Sequence, residues 1–238
     1  MSTPSRLPAG SSARQLRAER ILDTTADLLT AYGYRKVTID DVAGRAGVGK
    51  GTVYLHWKTR EALFWATLQR EALRLFEHLL AELAREPESA LPHRLMRTIY
   101  LEITGRPLVK ALLLNDPAVL GNLAGDETVR SAQQELAENA DYLQLLSDQG
   151  ALRAGLTPGA AGYVLVNVTR GFLGAAELGE DDGLSVEQRA DLLSDVLRRA
   201  LERDLPLTEQ ALAALNGQVI AMFAKMAQGH REQLQRSY

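Results

Sequence analysis

The chain has 238 residues, 46% of them hydrophobic and 5% aromatic, with 27 basic against 30 acidic side chains and no cysteine. That length allows one large domain or two modest ones with a real core, and the composition is too apolar for a disordered chain. Without cysteine there are no disulfides, thiolate metal sites, iron–sulfur clusters or cysteine nucleophiles, and no apolar run nears the ~20 residues that span a bilayer.

In chain order, residues 1–13 read as a mobile tail without the apolar middle of a secretory signal, which fits a cytoplasmic protein. A helix is expected from Arg14 to Tyr32, with Ile21, Leu22, Ala26, Leu28, Leu29 and Tyr32 on one face and Gly33 as its C-terminal cap. Thr38 can cap a second helix, whose Ile39, Val42, Ala43 and Ala46 share a face and which Gly47 stops. A third short helix spans about Lys50 to Trp57. Thr59 caps a fourth, from Arg60 to about Arg85.

Pro87 and Pro92 mark a break, after which helical pattern runs to about Thr104 and restarts at Pro107. Asn115 to Pro117 and Gly121 to Gly125 are further punctuation. Asp126 to Gln149 reads as one helix with Val129, Leu136, Ala140, Leu143 and Leu146 inward. Thr157-Pro158 starts a helix to about Leu178. Ser185 and Gln188 form a capping box for one reaching about Arg203. Pro206 and Thr208 open a last helix to about Gln235. Its Leu212, Leu215, Val219, Met222, Phe223 and Met226 make an apolar stripe that needs a cover: this subunit, a partner or a second dimer. The fold class is all-α.

Residues 38–57, TIDDVAGRAGVGKGTVYLHW, carry the functional information. Ala43 is small where two helices would cross, Gly47 sits where a turn needs positive φ, and Val48 and Val53 are apolar where the second helix meets the first. That helix then offers Lys50, Thr52, Tyr54, Leu55, His56 and Lys58, groups able to read base edges and phosphates. Charge agrees: Met1 to Ala66 holds 10 basic and 6 acidic residues, a surplus of four on an otherwise acidic chain.

With its flanks from Arg20 to Phe64, this segment resembles the DNA-binding domain of the TetR family of transcriptional regulators. The likeness is carried by Gly33-Tyr34, Val37-Thr38, Asp41-Val42-Ala43, Ala46-Gly47-Val48, Gly51-Thr52-Val53-Tyr54, His56-Trp57 and Glu61-Ala62-Leu63. Gly49 departs from the Ser or Thr usual at the recognition-helix cap, and Arg60 stands for the usual Lys. The resemblance implies base-edge contacts at Lys50 and Thr52 beside Gly51, and phosphate contacts at Thr38, Tyr54, His56, Lys58 and Arg60. Trp57 reads as core. Arg14, Arg17 and Arg20 can reach a neighbouring phosphate or the minor groove.

The resemblance also implies four parts: the tail 1–13, a helix-turn-helix domain 14–59, a helical regulatory and dimerisation domain 60–205, and an extra C-terminal helix 206–238. A lone helix-turn-helix binds weakly, so a homodimer on a palindromic operator is expected. Its interface is placed on helices 158–178 and 186–203, where Gly159, Ala161, Gly162 and Gly174 stand among Val164, Val166, Val168 and Phe172. A small-molecule effector is expected in the body, with Tyr100, Asn115, Tyr142, Tyr163, Asn167 and Phe172 as candidate linings. The function so implied is an effector-released repressor. An activator or architectural protein without effector is the alternative within DNA binding.

A reading from another class uses the same residues. Gly44 to Thr52, GRAGVGKGT, resembles the phosphate loop of adenylate-kinase-like enzymes. Against it, Gly51 follows the Lys where Ser or Thr should, and Ile39 to Ala43 has helix period where a buried strand belongs. His78, His93 and His230 are scattered, and no nucleophile elbow is present. No enzyme, metal site or cofactor is expected.

Overall fold

Residue periodicity turns directly into helices. The computed structural model describes residues 9–127, 129–130, 140–175 and 183–237, and every regular element among them is helical. The N-terminal unit is α1 (Ala9–Tyr32), α2 (Ile39–Ala46) and α3 (Lys50–His56). Helix α1 begins five residues before the expected Arg14, because extending a formed helix costs little once its nucleus exists. The expected tail up to residue 8 lies outside the described residues.

Helix α4 (Arg60–Arg85) leaves this unit and runs about 39 Å into the body. There follow a 3₁₀ turn (Pro87–Ala90), α5 (Pro92–Thr104), α6 (Pro107–Leu114), α7 (Pro117–Leu120) and a second 3₁₀ turn (Gly121–Gly125). The last four are α8 (Ala140–Asp148), α9 (Pro158–Ala175), α10 (Val186–Leu201) and α11 (Glu209–Ser237). Of the expected helix 126–149, residues 127, 129–130 and 140–148 are helical, while Asp126 and Gln149 are not; its Leu136 lies outside the described residues, as do residues 176–178 of the helix begun at Pro158.

The proline-led starts and glycine stops act as the residue chemistry requires. Asn115 closes α6 at φ 54°, a conformation Asn tolerates through its short side chain. Leu91 gives α5 no side-chain cap. Instead Glu202, beyond the end of α10, accepts the backbone N–H of His93 at 2.8 Å and also meets its Nδ1 at 2.8 Å. A single antiparallel bridge, Leu152 to Glu202, holds that corner.

The apolar stripe of α11 is covered by this subunit. Leu215, Val219, Phe223, Ala227 and Leu234 are buried, and Phe223 meets Phe76 of α4 with ring centroids 5.9 Å apart. By contrast α9, which is mostly apolar, buries only Ala161, Leu165 and Leu173. Its Tyr163 is 74% exposed, and Leu192 and Val196 of α10 are 47% and 41% exposed.

Candidate nucleic-acid interface

The reading head is built from its caps. Thr38 is extended and opens α2 with a reciprocal pair: its hydroxyl accepts the Asp41 N–H at 3.2 Å, and the Asp41 carboxylate accepts the Thr38 N–H at 3.0 Å. The Thr38 hydroxyl, donating to Asp41 Oδ2 at 2.6 Å, and then the Thr38 N–H hold the Asp41 pKa below the ordinary carboxylate value. Gly47 ends α2 at φ 64°, and Val48 N–H returns to the Ala43 carbonyl at 3.0 Å. The chain therefore turns sharply, and α3 crosses α2 with Val53 fully buried between them.

Gly49 caps α3 in an extended conformation, φ −71°, with no side-chain hydrogen bond. The seven residues of α3 divide cleanly. Val53 and His56 point inward, while Lys50, Gly51, Tyr54 and Leu55 are exposed and Thr52 is half-buried. Lys58, just beyond, is exposed as well. Lys50 Nζ meets Asp40 Oδ2 at 2.8 Å, which raises the Lys50 pKa and keeps its charge fixed over the surface of α3. That exposed pair is weak, so a phosphate or base edge can displace it.

Two expected contacts sit differently. His56 is not exposed: 7% of its surface remains, its ring lies on Trp57 with centroids 5.2 Å apart, and its Nδ1 has no partner. The reason is helix period, since residue 56 falls one turn after the buried Val53. Burial, then the positive charges of Arg14 and Arg17, push its pKa down. Arg60 is turned into the protein. Its guanidinium lies 4.4 Å from the Tyr34 ring centroid and 5.5 Å from that of Phe64, and it donates to the Val37 carbonyl at 3.4 Å. Trp57 is buried, as its reading as core requires.

Two joints hold the head to the rest of the chain, and neither was read from the sequence. Arg70 of α4 is 3% exposed and reaches α1, donating to the Glu19 carbonyl at 3.1 Å and meeting Asp23 at 2.9 Å. Glu71 meets its other nitrogen at 3.0 Å. Tyr34 forms the second joint. Its N–H donates to the Val119 carbonyl at 3.2 Å, its hydroxyl to Glu61 at 2.9 Å, and its ring meets Phe64 edge-on. The signal for Arg70 was faint: one Arg among the apolar positions of α4.

The candidate effector linings do not converge. Tyr100 and Tyr142 are core residues, and the Tyr142 hydroxyl donates to the Ala90 carbonyl at 2.9 Å. Asn115 is exposed at its turn and Phe172 is half-buried. Tyr163 and Asn167 are exposed on α9, bonded to each other through the Asn167 amide and the Tyr163 carbonyl at 2.7 Å. They are corrected from interior linings to outer-face residues, because α9 turns that stripe away from its own subunit.

The phosphate-loop reading fails on the backbone. Residues 44–52 are the end of α2, the turn and the start of α3, and the segment before them is helix, not strand.

An exposed short helix held by a tight turn over a buried crossing is the geometry that enters a major groove. Residues 21–67 match the family model for bacterial regulatory proteins of the tetR family. Over those residues the chain is of that family's type. Among its relatives, the transcriptional regulator AlkX of Mycobacterium tuberculosis is 31% identical over 48% of this chain and 58% of its own. The transcriptional repressor KstR of Rhodococcus jostii is 29% identical over 56% of this chain and 60% of its own. These matches thus span about three-fifths of each TetR-family relative. The crystal structure of the regulator FadR from Bacillus subtilis, in complex with stearoyl-CoA, superposes with a TM-score of 0.60 at 14% identity. It covers 75% of this chain and 96% of FadR. At that identity the likeness is one of fold.

Proposed function

We propose that this protein is a homodimeric repressor that binds a palindromic operator and releases it when a small molecule occupies the body. The observation that carries the reading is a pair of uncovered surfaces on one chain. One is the exposed face of α3. The other is the apolar outer face of α9 and α10, with Tyr163, Leu192 and Val196 open to solvent. Exposed apolar area of that kind on two adjacent helices fits a four-helix bundle with a second copy. Val164, Val166, Val168 and Phe172, all half-buried, fill the seam between the copies.

On this reading Lys50, Gly51 and Thr52 approach base edges, while Thr38, Tyr54 and Lys58 meet phosphates. His56 and Arg60 support the head from inside it, and the protein acts by binding, not catalysis. No described helix is long and apolar enough to cross a membrane, and a cytoplasmic location suits a DNA reader.

Release follows from the two joints. The head rides on α4 through Arg70 and leans on α7 through Tyr34. An effector that binds better to a form with α4 tilted carries the heads away from the groove spacing, and DNA affinity falls by that preference. A cleft of about 520 Å³ beside Asp27, Arg74 and Leu108, between α1, α4 and the α5–α6 turn, leaves room for the tilt. KstR is named a repressor and FadR was solved with stearoyl-CoA, which supports repression and effector binding here.

The test is selection from a random duplex library at near-physiological salt. An inverted repeat with half-site centres about one helical turn apart, or slightly more, supports the dimeric reader. No enrichment, before and after unfolding and refolding to strip bound ligand, would overturn it.

A further inference from the structure

Helix α11 lies antiparallel on α4, and three contacts set their register. Asn216 Nδ2 donates to the Leu83 carbonyl at 3.1 Å. Phe223 meets Phe76. His230 Nδ1 bonds Gln69 Oε1, and its ring stacks on Phe76 with centroids 5.2 Å apart. Seven residues separate successive contacts on each helix: 69, 76 and 83 on α4, against 230, 223 and 216 on α11. The seam is thus an antiparallel heptad pair with a polar pin near each end and buried Val219, Phe223 and Ala227 between.

A polar pair in an apolar seam specifies register, because a slip leaves a buried polar group without its partner. Leu83 lies in the last turn of α4, where its carbonyl has no helical donor, so Asn216 supplies one. The smallest slip that restores the apolar match is one heptad, about 10.5 Å, and it breaks both pins. Gln69 stands beside Arg70, which holds α1 through Glu19 and Asp23. Helix α11 therefore grips α4 at its body end and near its head end, and the head follows through Arg70.

We infer that Asn216 and His230 are positioning residues for DNA reading. Through α11 they fix the angle at which α4 carries the head, and so set the half-site spacing that the dimer accepts. The spacing consequence rests on the dimeric reading proposed above; the fixed angle does not. Without the pins α4 samples several tilts, and operator affinity falls by the fraction of molecules with heads correctly placed.

The natural chain has no cysteine, so Lys36→Cys with Gln144→Cys carries one spin label on the head and one on the body. Diluted into excess unlabelled protein, each measured pair lies within one protomer, and pulsed electron paramagnetic resonance reads its distance distribution. The distribution is expected to be narrow in the otherwise native chain. It should be at least twofold broader in Asn216→Leu/His230→Leu, which keeps the seam apolar but removes both pins. His230→Gln alone, whose amide can still bond Gln69, should keep it narrow.

Equal widths at unchanged helix content would overturn the inference, as would a broad distribution in the native chain. Should the double variant fail to fold, Asn216→Leu and His230→Leu are each measured alone instead, with equal width in both again decisive against it. Without the spin-label cysteines, the double variant should bind the selected inverted repeat about tenfold more weakly, a competent fraction near one-tenth. It should also discriminate less against spacers one base pair longer or shorter. Unchanged spacing preference would remove the specificity role. Failure of the native chain to bind any inverted repeat, with the distance result intact, would sink the dimeric reading and leave the fixed angle standing.

Discussion

The ring of Tyr34 occupies the space where a side chain on Gly121 would begin: a Cβ there would lie 2.3 Å from Tyr34 Cδ1. Gly121 also has φ 55°, so two independent constraints select glycine at the point where body meets head. Gly33, on the head side, is alike: φ 72°, with its Cβ position 2.7 Å from the Ala118 carbonyl oxygen. The joint is a close backbone approach with one aromatic wedge. Gly121→Ala is expected to destabilise the protein by about 2 kcal/mol, combining overpacking with backbone strain. Urea unfolding measures it, and a loss under about 0.5 kcal/mol would show that the wedge yields freely.

Arg70 is the second joint and is expected to be the costlier to break. Arg70→Met removes the cation that Glu19, Asp23 and Glu71 share. The loss should be about 3 kcal/mol, the low end for a broken buried pair, because Glu19 and Asp23 keep contact with water. Unfolding curves that leave the variant within about 1 kcal/mol of wild type, the range of an exposed pair, would contradict this network.

Lys58 and Lys50 should separate phosphate from base contacts. Lys58→Ala is expected to weaken all duplexes about equally and to lower the salt slope by about one. Lys50→Ala should change which sequence is preferred. Fluorescence anisotropy across a salt series, on the selected operator and on a scrambled duplex, reads both effects. If the two variants bound like wild type, the assignment of α3 as the reading helix would be wrong.

Gly49 is not required by its backbone. Its φ of −71° suits any residue, and a Cβ added there would meet nothing nearer than Thr52 Oγ1, 3.9 Å away. Gly49→Ser is expected to stabilise the head by a few tenths of a kcal/mol, since the hydroxyl can accept an orphan N–H of α3. A small rise in melting temperature would show it, and a fall would mean that the hydroxyl finds no such partner.

Acid should destabilise the protein through two histidines. Burial lowers the pKa of His230, and burial with the Arg14 and Arg17 charges lowers that of His56. The unfolded chain takes up these protons near the ordinary imidazole value of about 6.5, before the folded chain does. Below that value the unfolded state binds more protons, so stability is full above it and is lost as pH falls towards the depressed values. Melting temperatures at about pH 7.5 and 5.5, either side of that value, test this. His230→Gln, which cannot titrate, should shrink the difference.

What the sequence determined by itself was local. Helix starts at Thr38, Thr59, Pro158 and Ser185, the turn at Gly47 and the exposed positions Lys50, Tyr54 and Lys58 all follow from capping, backbone preference and the 3.6 period, which act within a few residues. The tertiary structure decided everything that joins distant segments. It stacked Arg60 on Tyr34. It placed Gly121 under that ring, gave Arg70 to α1, and laid α11 on α4 in a single register. An apolar stripe says that a helix must be covered but not by what. The choice among covers is made by shape, as between Tyr34 and Gly121, 87 residues apart, and by buried polar partners, as between Gln69 and His230, 161 apart.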